Sequence, residues 1–153
     1  MDTLGQLGLG LVLGMGAIGS ALGIGTAGRA AAGAWAKEAK AGKPLSFRYI
    51  ILTGMPLSQT IYAFILMLVG LEGLVYLPAV VNANGGALLG ISLGCGAAQL
   101  FSAWMQGMIG ASGIRALSEG EGQGFSFMLI AMGIAETVGL FGFVFMLLVL
   151  PKA

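Results

Sequence analysis

A carboxylate, two carboxamides and a hydroxyl lie inside stretches made mostly of apolar residues. Glu136 stands in Ala131-Met132-Gly133-Ile134-Ala135-Glu136-Thr137, within an apolar run that continues to Leu150. A charge at that depth costs roughly 2.5–3.5 kcal/mol on insertion scales, so it reads as a functional group that needs a partner. Candidate partners are Ser58, Gln59 and Gln106. Met55, Ser58, Gln59 and Tyr62 follow the i, i+3, i+4, i+7 spacing and so share one side of a helix. Ser58, Gln59 and Gln106 offer neutral oxygens, Glu136 offers carboxylate oxygens, and a backbone kinked by Pro56 can add a carbonyl. Such an all-oxygen shell with one negative charge suits a small, hard monovalent cation better than a divalent one. Tyr62 is too bulky to be an obvious ligand, but its hydroxyl can donate to the carboxylate and hold it.

Depth supports the grouping. Gln59 lies twelve residues from Phe47, Gln106 twelve from Ser118, and Glu136 twelve from Gly124. At about 1.5 Å per residue each is roughly 18 Å into its segment. A lone Gln or Ser in a membrane helix is usually interhelical glue; three at the level of a carboxylate read as a site. Gln99 and Thr26 lack such company and read as packing residues. Glu72 lies about 20 Å from Gln59 along its helix and reads as an interfacial charge. Arg29 and Arg115 are expected to snorkel to the surface.

Four segments must position these groups. The first, about Leu4 to Trp35, is mostly Gly, Ala and Leu, and Gly10/Gly14 and Gly19/Gly23 have the small-xxx-small spacing of close helix packing in lipid. Trp35 fits an interfacial anchor, and residues 37–44 form a short basic loop. The second segment, about Phe47 to Leu77, should kink at Pro56 and end at Pro78 with Asn82-Ala83-Asn84-Gly85-Gly86. The third, about Ala87 to Ser118, belongs to a row at every fourth position: Gly86, Gly90, Gly94, Ala98, Ser102, Gln106, Gly110. Residues 119–124 lead to the fourth, Phe125 to Leu150.

Composition agrees. Charged residues make up 8% and apolar ones 58%, with 28 Gly among 153 residues, too few charges to coat a soluble domain of this length. The expected fold is an all-α membrane protein of four transmembrane helices in a single domain, 1–153, arranged as two fused helical hairpins, 4–80 and 87–150. The start, Met1-Asp2-Thr3, lacks the positive region of a signal peptide, so none is expected. With no His and one cysteine, Cys95, zinc, haem and disulfides are excluded; Cys95 reads as a small buried hydrophobe. The net charge of +1 gives no indication of a nucleic-acid partner. Gly14-Met15-Gly16 is helix packing, not a phosphate cradle, and no G-x-x-x-x-G-K-[ST] loop occurs. Lys37, Lys40 and Lys43, flanked by Arg29 and Arg48, and Arg115 before the third loop put the first and third loops in the cytoplasm and both termini outside, with Lys152 dissenting.

The chain also repeats itself. Leu13-Gly14-Met15-Gly16-Ala17 matches Leu93-Gly94-Cys95-Gly96-Ala97, and Ser46-Phe47 matches Ser126-Phe127. After three extra residues, Met55-Pro56-Leu57-Ser58-Gln59-Thr60 matches Met132-Gly133-Ile134-Ala135-Glu136-Thr137. The hairpins are parallel repeats, and Gln59 stands where Glu136 stands.

With Pro56-Leu57-Ser58-Gln59-Thr60-Ile61-Tyr62, Gln106-Gly107 and Ile134-Ala135-Glu136-Thr137-Val138-Gly139-Leu140-Phe141-Gly142, essentially the whole chain resembles the duplicated four-helix proteolipid (c or K subunit) of rotary V-type ATPases. The Ser-Gln-x-x-Tyr motif with Gln106 is similar to the sodium-binding prokaryotic branch. The resemblance implies a membrane ring of identical copies, segments one and three inside, two and four outside, in a prokaryotic cell membrane. It makes Glu136 the Na⁺ carrier, Ser58, Gln59 and Gln106 side-chain ligands, Met55 a backbone-carbonyl ligand, and Tyr62 the lock on the carboxylate. Partners would be lipid, a stator subunit with a membrane arginine, and a central-stalk subunit on the cytoplasmic side, with ATP hydrolysis on other subunits. The family's usual residues are Leu at 55 and Thr at 58. Neither change removes an oxygen, but Ser58 lacks the methyl that restricts a Thr rotamer, which bears on affinity rather than on site identity.

Three other readings compete. The same ring could carry H⁺, which needs only the carboxylate; the extra oxygens disfavour this. A small multidrug antiporter also uses one membrane Glu, but without duplication or oxygen ligands. A structural packing proteolipid would have no ion site.

Overall fold

The computed structural model describes residues 2–152; Met1 and Ala153, the ends of the expected domain, lie outside the described residues. Among these residues the regular elements are helical throughout. Four helices are long and apolar enough to cross a membrane: α1 (Asp2–Lys40), α2 (Arg48–Val75), α3 (Pro78–Glu119) and α4 (Phe125–Leu148). At 1.5 Å per residue, α1 and α3 run about 60 Å, well beyond a hydrocarbon core of ~30 Å.

Two boundaries differ from the sequence expectation. Lys37 and Lys40 belong to the last turn of α1, so the first loop is shorter than 37–44 suggests. The second segment ends at Val75, just ahead of Pro78 as expected, but Pro78 also opens α3, which runs on through Asn82–Gly86. Proline's fixed φ suits the first helical turn, where its missing N–H costs nothing. The preceding Leu77 takes the extended conformation a following proline favours (φ −93°, ψ 109°). Asn84 folds its Nδ2 back onto the Val80 carbonyl, 3.2 Å away, instead of terminating the helix. The second hairpin thus begins at Pro78 rather than near residue 87.

α2 is the irregular helix. At Pro56, where a kink is expected, it tightens into a 3₁₀ turn, Met55–Leu57, and it widens into a π turn at Leu66–Leu71, which the sequence pattern does not announce. Such turns recur at functional sites; here they bracket Ser58–Ile65.

α1 and α3 form the central pair, with α4 laid along α3 and α2 against both α1 and α3. Their approach is set by glycine: a Cβ on Gly107 would overlap the Gly23 backbone, and one on Gly19 the backbone of Leu100. Side chains that small let backbones touch where lipid offers no hydrophobic drive to association. Gly10 and Gly14, by contrast, face open space in the protomer. The row expected as one packing face of α3 serves α4, and only in part. Gly94 meets Met146, Ala98 meets Gly142 and Gly110 meets Met132, whereas Gly86 and Gly90 run past the end of α4 and meet nothing.

Two apolar clusters hold the bundle. One contains Leu66, Leu71, Val81 and Leu88, the other Tyr49, Leu52, Ile114, Leu117 and Met132. The polar side chains singled out above lie between them. At the end carrying residues 41–47 and 120–124, the hairpins are clasped together. Lys43 Nζ pairs with Glu121 at 2.9 Å, and Arg48 Nη1 donates to the Gly122 carbonyl at 2.6 Å while its guanidinium lies 5.7 Å over the Phe125 ring. The Lys43 ammonium holds the Glu121 carboxyl below its usual range. Glu38 accepts from Tyr49 Oη at 2.6 Å and from the Ser46 N–H at 2.9 Å. Trp35 Nε1 donates to the Ser46 carbonyl at 2.9 Å.

Candidate functional site: a carboxylate in a buried polar layer

The 3₁₀ turn at Pro56 presents the Met55 carbonyl to the Ser58 hydroxyl at 3.1 Å, and Ser58 Oγ also lies 3.1 Å from Gln59 Oε1. Gln59, fully buried, spends both amide protons on α3: Nε2 reaches Gln106 Oε1 at 3.1 Å and Ser102 Oγ at 3.1 Å. Gln106, also fully buried, donates Nε2 to Glu136 Oε2 at 3.3 Å and to the Met132 carbonyl at 3.1 Å. The other carboxylate oxygen, Glu136 Oε1, accepts from Tyr62 Oη at 2.9 Å. The Tyr62 ring is stacked on Phe143 of α4, 6.0 Å between centroids. Met55, Ser58, Gln59, Tyr62, Gln106 and Glu136 therefore form one connected chain across three helices, within a single protomer.

Two residues that sequence reasoning leaves out belong to the same layer. Ser102, placed above only in a packing row, donates to the Ala135 carbonyl at 2.8 Å. Gln99, read as packing, donates Nε2 to the Gly139 carbonyl at 2.7 Å, and its Oε1 is buried without a partner. Gln99, Ser102 and Gln106 thus strap the Gly139, Ala135 and Met132 carbonyls in antiparallel order. A signal for them exists in the chain: 99, 102 and 106 follow i, i+3, i+7 on one helix face. Thr26 bonds only its own helix, at the Leu22 carbonyl. Glu72 is exposed, Cys95 fully buried and free.

This layer can do one kind of chemistry. Most of its groups are oxygen acceptors and neutral donors, and its one formal charge is Glu136, half-buried. It can hold and release a cation or a proton. Among the described residues no group of His, Cys, Asp and Glu could hold a metal as a cluster.

Residues 7–69 and, separately, 89–149 match the family of the ATP synthase C subunit. The chain belongs to that family. The two matches cover one hairpin each, as the internal repeat requires of a duplicated form. A member of the family is an integral, multi-pass membrane protein that assembles with identical copies into a ring and carries ions past a stator subunit. It is a rotor part and not a catalyst; hydrolysis lies in other subunits. Comparison with curated proteins returned no match.

Proposed function

We propose that this protein is the Na⁺-carrying rotor subunit of a V-type rotary ATPase of a prokaryotic cell membrane. The observation that carries the reading is the unbroken chain from the Met55 carbonyl through Ser58, Gln59 and Gln106 to Glu136, closed by Tyr62. A proton carrier needs a carboxylate and a dry pocket. A layer that adds a backbone carbonyl, a hydroxyl and two carboxamides suits a cation that must exchange a shell of water oxygens for protein ones.

Na⁺ is the cargo. Glu136 supplies the charge, Ser58, Gln59 and Gln106 supply side-chain oxygens, Met55 its backbone oxygen, and Tyr62 holds the carboxylate in place. Loaded, the site is neutral and crosses lipid at modest cost; empty and ionised, it needs a cation beside it. A stator arginine meets that need, so that ions exchange only there and carriage around the ring is coupled to rotation. The clasped end, with Lys37, Lys40, Lys43 and Arg48, faces the cytoplasm by the positive-inside rule and offers the central stalk its seat, with both termini outside.

The test is labelling of the purified ring by a hydrophobic carbodiimide, which attacks a protonated carboxyl in an apolar setting, with mass-spectrometric mapping. Glu136 is expected to be labelled, and Na⁺ to protect it at constant pH. Labelling indifferent to Na⁺ would replace Na⁺ by H⁺ as cargo. Absence of labelling would remove the ion site.

A further inference from the structure

We propose that Ser102 is a positioning residue that aims the Gln59 carbonyl oxygen at the ion, a role that rests on the Na⁺ reading above. The Ala135 carbonyl can only accept, so the single hydroxyl proton of Ser102, 2.8 Å away, is committed to it. Toward Gln59, 3.1 Å distant, Ser102 Oγ can then only accept, and it must be met by the amide nitrogen.

Gln106 imposes the same direction from the other side. Its Nε2 faces the Met132 carbonyl, which can only accept, and Glu136 Oε2, so its Oε1 is the atom that faces Gln59. Both Gln59 protons are thereby taken by α3, and Oε1 is left pointing toward Ser58. Without Ser102, the amide is held by one bond in place of two. Turned over, it would aim N–H groups where a cation ligand is needed, and a positive donor edge repels a cation. Gln59 is fully buried and Ser102 nearly so, so water is not at hand to replace the lost partner.

The discriminating property is that a proton on Glu136 does not require the Gln59 oxygen. Ser102→Ala in the assembled ring should leave carbodiimide labelling of Glu136 without Na⁺, and its pH profile, unchanged, while raising the Na⁺ needed for protection about ten-fold, the size of one lost buried hydrogen bond. Ser102→Thr, which keeps the hydroxyl, should restore protection. Unchanged Na⁺ protection in Ser102→Ala overturns the proposal. So does a pH profile displaced as far as the Na⁺ curve, which would mean general repacking around Glu136. If the alanine ring fails to assemble, Ser102→Val, which matches the threonine variant in volume but lacks its hydroxyl, is compared with Ser102→Thr; equal Na⁺ protection in the two overturns the proposal. A wild-type ring indifferent to Na⁺ would sink the underlying reading, and is recognised before any variant is made.

Discussion

Gly139 sits one helical turn beyond Glu136, where α4 presses hardest on the polar layer of α3. A Cβ there would lie 2.8 Å from Gln99 Oε1, 2.9 Å from Ser102 Oγ and 3.2 Å from Gln59 Cγ. Ordinary contact needs about half an ångström more than the shorter two, so Gly139→Ala must push α4 away from α3 or turn aside two buried polar side chains. The first response stretches the 3.3 Å bond between Gln106 and Glu136 beyond hydrogen-bonding range. The second breaks the straps on the Gly139 and Ala135 carbonyls. Overpacking of this kind costs about 1–3 kcal/mol, and a loss of about 1.4 kcal/mol at the site is ten-fold in affinity. The expected result is a ring that dissociates at lower temperature and needs roughly ten-fold more Na⁺ to protect Glu136 from carbodiimide. The control is Gly133→Ala on the same helix, where a Cβ meets nothing within 4 Å in the protomer; it should be neutral or stabilise by up to ~1 kcal/mol through helix propensity. Equal behaviour of the two variants in both assays would refute the close-approach argument.

Gln106→Ala is expected to raise the Na⁺ requirement more than it lowers thermal stability, because Gln106 bonds the carboxylate itself as well as a backbone carbonyl; normal Na⁺ affinity in that variant would take Gln106 out of the shell. Tyr62→Phe keeps the ring stacked on Phe143 but removes the donor to Glu136, and should weaken Na⁺ protection several-fold without changing assembly. At the clasped end, Glu121 is held below its ordinary value of 4.5 by Lys43. A depressed carboxyl contributes stability that is present above the unfolded value and lost as pH falls through the folded one. Amide protection of residues 120–124, taken relative to the intrinsic exchange rate at each pH, should therefore fall below about pH 4.5, and Glu121→Gln should flatten that fall; protection that does not change with pH would remove the pair's role.

Where side-chain chemistry and spacing both speak, the sequence is sufficient. Met55, Ser58, Gln59 and Tyr62 fall on one face because a helix dictates it, and the structure brings them to Gln106 and Glu136 across three helices. Four spans follow from apolar length alone. Partner choice is what sequence does not carry. The row from Gly94 to Gly110 is visible as a face, but whether it meets α1 or α4 is decided by tertiary packing. Pro78 signals both the end of one helix and the start of the next, and both meanings hold, since α2 stops at Val75 and α3 opens at Pro78. Ser102 sits in a row of small residues, which hides its hydroxyl. The π turn at Leu66–Leu71 leaves no mark in residue type.

The duplicated chain with Gln59 opposite Glu136 in the repeat has a mechanical consequence. Two hairpins occupy the circumference, yet one carboxylate rides on them. A wheel of given girth made from such chains bears half the teeth of one in which every hairpin carries its own acid. With Glu136 as the carrier proposed above, each ion passed would turn the rotor through twice the angle, and a full revolution would pass half as many. The free energy exchanged in each turn is divided among fewer ions, so each ion carries a larger share of it. Losing one carboxylate changes the gearing of the machine while leaving its bearings as they were.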